Sequence, residues 1–108
     1  MIKKEDLELM KSLGGDFHYV ETAPFHPGGY CTVRIDNALD ITVYVNGNDN
    51  YTVIIGNIPE RYSLTMIGDN IKMILKNIIS QFTTNTKMIV KAGEVAEKLL
   101  EDKKDILK

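Results

Sequence analysis

The chain has a single cysteine, Cys31, so no internal disulfide can staple it and the framework of a small secreted scaffold is excluded. Long hydrophobic runs are also missing. The most apolar region, Leu64 to Phe82, is interrupted by Asp69, Lys72 and Lys76, which argues against a membrane span. No signal peptide opens the chain, because Met1-Ile2-Lys3-Lys4-Glu5-Asp6 goes straight into charge. These features point to a cytoplasmic protein. A surplus of positive charge is lacking as well: 13 Lys and Arg stand against 15 Asp and Glu, for a net charge of −2. The electrostatic footprint of a surface that tracks phosphates is therefore absent, and nucleic acid is the less favoured partner. No Walker loop, dinucleotide-binding glycine pattern or nucleophile-elbow motif occurs.

What the 108 residues do contain is the composition of an ordinary globular domain, 44% hydrophobic and 26% charged, long enough for one modest core. Isoleucine (13), lysine (11) and asparagine (8) are heavily used. Such usage is common where coding DNA is rich in A and T, which hints at a low-GC bacterium or one of its phages or mobile elements.

The stretch from Tyr30 to Ile55 organises the fold. Cys31, Val33 and Ile35 alternate with Tyr30, Thr32 and Arg34, and Ile41, Val43 and Val45 alternate with Thr42 and Tyr44. Residues two apart share a strand face, so each run has one apolar and one mixed side. Asp36 to Asp40 is a turn-rich link between them. Asn46-Gly47 then signals a hairpin into Tyr51–Ile55, a run apolar on both faces. Phe17 to Thr22 reads as an earlier strand. Tyr62, Leu64 and Met66 alternate like another, although Leu64 and Ile67 also extend a helical stripe; Gly68 would be costly inside a helix, which favours a strand or loop up to Ile67. Lys87 to Lys91 resembles a short edge strand guarded by lysines.

Three helices frame this sheet. Residues 3–13 carry Leu7, Leu9, Met10 and Leu13 on one side and meet a Gly14-Gly15 stop. Ile71, Ile74, Leu75, Ile78, Ile79 and Phe82 recur at helical spacing behind a predicted cap at Asp69. From Ala92 onward, Val95, Ala96, Leu99 and Ile106 form a last stripe, supported by a Glu94–Lys98 pair. The expected fold is α+β and a single domain over 1–108: an N-terminal helix, an antiparallel meander of about four strands, a long helix packed on one face and a C-terminal helix.

The candidate chemistry is thin. Cys31, His18 and His26 lie close in sequence and could in principle form a thiol–histidine pair. Yet Cys31 shares the face of Val33 and Ile35 and reads as a small buried hydrophobe. The same three residues lack the number and paired spacing of a zinc site, and the loop aspartates Asp36, Asp40 and Asp49 match no calcium loop. Asn50-Tyr51-Thr52 is a glycosylation sequon only by chance if the protein is not secreted. No catalytic residue, metal or cofactor is assigned.

Binding is the better supported class. Ala23-Pro24-Phe25-His26-Pro27-Gly28-Gly29 is a stiff loop that holds an aromatic residue between two prolines. A pre-ordered aromatic costs little entropy to immobilise, which suits an anchor. The open sheet face would display Tyr30, Thr32, Arg34, Thr42, Tyr44 and Ile54, and Tyr and Arg are favoured interface types. The predicted binding residues are Phe25, His26, Tyr30, Arg34 and Tyr44. The expected function is that of a non-catalytic module that binds another protein, a second copy of this chain among the options, as an inhibitor or regulator of a host protein. A nucleic-acid regulator using the open face is the alternative, because Tyr30, Arg34 and Tyr44 faintly resemble a base-stacking platform. A thiol enzyme built on Cys31 is the other.

Overall fold

The computed structural model describes residues 2–45, 50–57, 62–84 and 90–107. Helix α1 (Lys4–Lys11) leads into strands β1 (Asp16–Val20), β2 (Tyr30–Ile35), β3 (Leu39–Val45), β4 (Tyr51–Asn57) and β5 (Tyr62–Gly68), followed by helices α2 (Ile71–Thr84) and α3 (Val90–Asp102). The strands form one antiparallel sheet in the order β1-β2-β3-β4-β5. This is the α+β architecture that the periodicities predict, with five strands where about four were expected.

The extra strand is β5. Its residues pair with β4 from Tyr62↔Asn57 to Gly68↔Tyr51. Leu64 and Met66 pack against the core, while Ser63, Thr65 and Ile67 take the other side. The alternation of Tyr62, Leu64 and Met66 therefore prevails over the helical spacing of Leu64 and Ile67. The β4 ladder satisfies the β5 backbone, which an isolated helical turn ahead of Gly68 could not do.

Other boundaries move by smaller amounts. β1 begins at Asp16 and ends at Val20, short of Thr22. Leu39 and Asp40, expected in a turn, belong to β3. The turn itself is tighter: Asp36 and Asn37 both have φ of 52°, and the Ala38 N–H donates to the Ile35 carbonyl at 2.9 Å. Paired positive φ values are what a primed hairpin turn requires, and Asp and Asn tolerate them. Helix α2 is capped by Asn70 in place of Asp69, with Asn70 Oδ1 accepting from the Met73 N–H at 3.1 Å. Val90 and Lys91, predicted as strand, open helix α3. The Asn46-Gly47 turn, residues 58–60, residues 87–89 and the Phe82 side chain lie outside the described residues. Gly14 has φ of +86° and ends α1 as the Gly-Gly signal predicts.

Register divides the sheet into two unlike faces. One carries Cys31, Val33 and Ile35 of β2, Leu39, Ile41 and Val43 of β3, and Tyr51, Val53 and Ile55 of β4, all buried. Met10 and Leu13 beside α1, Ile71, Ile74, Leu75, Ile78 and Ile79 of α2, and Ala92, Ala96 and Leu99 of α3 close over it. Helix α1 rests on β2, α2 on β4 and β5, and α3 on β3 and α2. The Tyr51 hydroxyl ties the roof down at one corner, donating to Asp6 Oδ2 at 2.8 Å and accepting the Lys3 N–H at 3.2 Å. Among the described residues no helix is long and apolar enough to cross a membrane.

Leu75 is fully buried at the centre of this roof. Leu75→Ala should cost about 2–5 kcal/mol, the transfer loss plus a residual cavity. Urea unfolding followed by circular dichroism measures it, and a loss below about 1 kcal/mol would contradict the packing described.

Candidate functional site on the open sheet face

The second face of the sheet carries Asp16, His18 and Val20 of β1, Tyr30, Thr32 and Arg34 of β2, Asp40, Thr42 and Tyr44 of β3, and Thr52 and Ile54 of β4. No helix covers it among the described residues. The loop between β1 and β2 does so in part, and its geometry follows from its prolines.

Two successive turns build that loop. In the first, Ala23-Pro24-Phe25-His26, the His26 N–H donates to the Ala23 carbonyl at 3.1 Å and the Ala23 N–H donates back to the His26 carbonyl at 3.2 Å. In the second, His26-Pro27-Gly28-Gly29, the Gly29 N–H donates to the same His26 carbonyl at 2.8 Å. Each proline takes the second position of its turn, where a fixed φ near −65° belongs and no donor is needed. Gly29 has φ of +86°, and a Cβ there would meet the Glu21 carbonyl oxygen at 2.5 Å, so only glycine fits.

His26 is thus held by three backbone hydrogen bonds, and its ring is held as well. It lies 4.3 Å from the Tyr44 ring, centroid to centroid, and 5.8 Å from Tyr30 in an edge-on arrangement. Ring pairs at such separations contribute roughly 0.5–1.5 kcal/mol beyond area burial. Phe25, one residue earlier, is left at the tip of the first turn and is 90% exposed. Beside it opens a hollow of about 400 Å³ lined by Ala23, Pro24, Phe25, His26, Tyr30, Thr32 and Thr42. A protruding ring next to a receptive hollow, both on a braced loop, is a two-part contact surface.

The structure brings Phe25, His26 and Tyr30 together around this hollow, and Tyr44 stands behind them against the His26 ring. Arg34 stands on the same face, two residues along β2 from Thr32. It makes a 3.7 Å ion pair with Asp40 and has Asp16 opposite it on β1. An exposed pair of this kind contributes little to stability. Flanked by two carboxylates, Arg34 does not make the face basic. Sequence reasoning missed the hollow and its floor residues Thr32 and Thr42 as a unit, since only pairing across β2 and β3 places them under the loop.

The thiol and the histidines are kept apart. Cys31 points into the core and is fully buried, whereas His18 pairs with Thr32 on the opposite face and His26 sits in the loop. Burial first, and the nearby Asp6 carboxylate second, push the Cys31 thiol up to about 12. Burial, joined by the hydrogen bond to Asp6, likewise raises the Tyr51 phenol to about 12, partly offset by the Lys3 N–H. Among the described residues no group of three or more His, Cys, Asp or Glu is placed to hold a metal ion. No family model, curated protein or solved structure matches the chain.

These raised values have a consequence for stability. The folded chain holds protons that the unfolded chain releases above about pH 9 for Cys31 and pH 10 for Tyr51. The resulting stability is intact below pH 9 and is lost as pH rises towards 12. Cys31→Ala should flatten the first part of that fall in melting curves taken from pH 8 to 11. An identical pH slope in the variant would show that the thiol is not buried as described.

Proposed function

We propose that this chain is a non-catalytic protein-binding module that engages its partner through the Phe25 loop and the adjoining open sheet face. The observation that carries this reading is the exposure of Phe25. A phenylalanine costs free energy when left in water, and here the surrounding turns, ring contacts and hydrogen bonds hold it outward. Tethered rings of this kind reach a bound state with little further ordering, which is the property of an interface anchor. The hollow next to it suits an apolar or aromatic side chain of the partner. Knob and hollow side by side favour a folded protein surface over a small ligand.

The alternative of nucleic-acid binding has less behind it. Tyr30 and Tyr44 are occupied by His26 and so are not free stacking platforms, and Arg34 is paired with Asp40 and has Asp16 opposite it on β1. Residue usage rich in isoleucine, lysine and asparagine supports a low-GC bacterial, phage or mobile-element origin, and within that setting an inhibitor or regulator of a host protein.

Immobilised chain should retain a host protein from lysate, and Phe25→Ala and Tyr44→Ala should each weaken the purified complex by at least about tenfold, or roughly 1.4 kcal/mol. Phe25→Ala should leave the melting temperature almost unchanged, since the ring is exposed. Retention that neither substitution weakens would place the contact elsewhere. Binding to DNA or RNA that falls steeply with salt would favour the alternative.

A further inference from the structure

The two edges of the sheet are built differently, and the difference points to a second interface. β1 is short, five residues, and places Asp16 and the exposed His18 along its length. The Lys11 ammonium sits 5.6 Å from the centre of the Phe17 ring on its other side. Charges of this kind are how natural sheets discourage further strand pairing. β5 has none of these guards. Its seven residues, Tyr62-Ser63-Leu64-Thr65-Met66-Ile67-Gly68, contain no charge and no proline. It pairs with β4 without a bulge, so the strand is straight in register and its outer backbone groups form a regular row. Among the described residues no strand pairs with that outer side.

One of the exposed apolar side chains lies on the same edge strand, and a second lies on the helix that packs on it. Among the described residues the large exposed hydrophobics are Phe25, Ile67 and Met73. Phe25 belongs to the loop on the open face. Ile67, 61% exposed, is on β5 itself. Met73, 65% exposed, precedes Ile74, which closes over Gly68 at the end of β5 so that a Cβ there would meet its Cδ1 at 2.9 Å. An unguarded edge strand that carries an exposed apolar side chain is a place for strand addition.

We propose that β5 pairs antiparallel with β5 of a second copy of this chain, joining two five-stranded sheets across a two-fold axis at Thr65. Three features select a second copy over another partner. The strand is uncharged, so self-pairing juxtaposes no like charges, while a charged partner strand would find nothing to complement. The register that overlaps all seven residues sets Thr65 opposite Thr65 of the partner copy, Leu64 opposite Met66 and Ser63 opposite Ile67. Core-face residues then meet core-face residues and open-face residues meet their own kind, with Ile67 gaining cover. The helices also fit. α2 rests on both β4 and β5. With strands about 4.8 Å apart, a helix seated midway over that pair would lie about 10 Å from its symmetry mate. That is the packing distance of helices. The surface is separate from the Phe25 loop, so the pairing stands or falls independently of the proposed function.

Sedimentation velocity on the purified chain should show a species of twice the chain mass. Thr65→Lys, which sets two ammonium groups face to face across the axis, should give the monomer with an unchanged far-ultraviolet spectrum, whereas His18→Lys on the other edge should leave the dimer intact. Thr65→Cys supplies an accessible thiol in a chain whose native cysteine is buried, and it should cross-link to a dimer under mild oxidation. A wild-type chain that stays monomeric up to millimolar concentration overturns the proposal. So does a dimer that survives Thr65→Lys, or a folded Thr65→Cys chain that does not cross-link.

Discussion

Everything in this molecule depends on the apolar contact between one face of the sheet and the helical roof above it. Ile41 and Val43 of β3 and Val53 and Ile55 of β4 form the oily centre of the sheet, and Ile71, Leu75, Ile78 and Ile79 of α2 close over it. Each of these side chains contributes roughly 1.5–3 kcal/mol by leaving water. Without that contact a five-stranded meander would have no reason to present the same side of every strand. The roof fixes register as well, because a slip of one residue would turn Ile41 outward and Thr42 inward. Tyr51 extends the same logic to the chain start by hydrogen bonding Asp6 and the Lys3 amide.

Because the helices among the described residues gather on one face, the other is left to the β1–β2 loop. That loop covers Tyr30 and Tyr44 with His26 and in doing so pushes Phe25 out. The exposed ring is thus a consequence of how the loop is braced: two proline-led turns share His26, and Gly29 lets the chain re-enter β2. Core formation and surface presentation are coupled through β2 and β3, whose even and odd residues serve the two faces in turn.

Much of this was legible in the sequence. Period-two alternation in β2 and β3 and the isoleucine stripe of α2 declare both elements and which sides they bury. The proline and glycine pattern marked the 23–29 loop, and the alternation of Cys31 with Tyr30 and Thr32 assigned the thiol to the core. Where the reading stayed open or failed, two local signals competed. Leu64 and Ile67 fit a helical stripe, and only the β4 ladder decides for strand. Met88-Ile89-Val90 between lysines looked like an edge strand, yet Val90 and Lys91 enter α3. Asp69 and Asn70 are both good caps, and the choice depends on which side chain reaches the Met73 amide. The hollow under the loop has no sequence signature, since Thr32 and Thr42 meet only through strand pairing. Nor did the sequence say which ring of the loop would pack: Phe25 is the more apolar, yet His26 takes the aromatic contact.

Adjacent residues of the central strand offer the sharpest test of a sheet with one roofed and one open face. Ile41→Lys and Thr42→Lys place the same charge one residue apart on β3, and urea unfolding compares them. Ile41→Lys should abolish the folded state or cost more than about 4 kcal/mol, since it buries an unpaired ammonium. Thr42→Lys should stay within about 1 kcal/mol of the parent chain, its ammonium reaching water across the open face. Equal losses in the two variants would contradict the account, for they would mean that both faces of the sheet are packed.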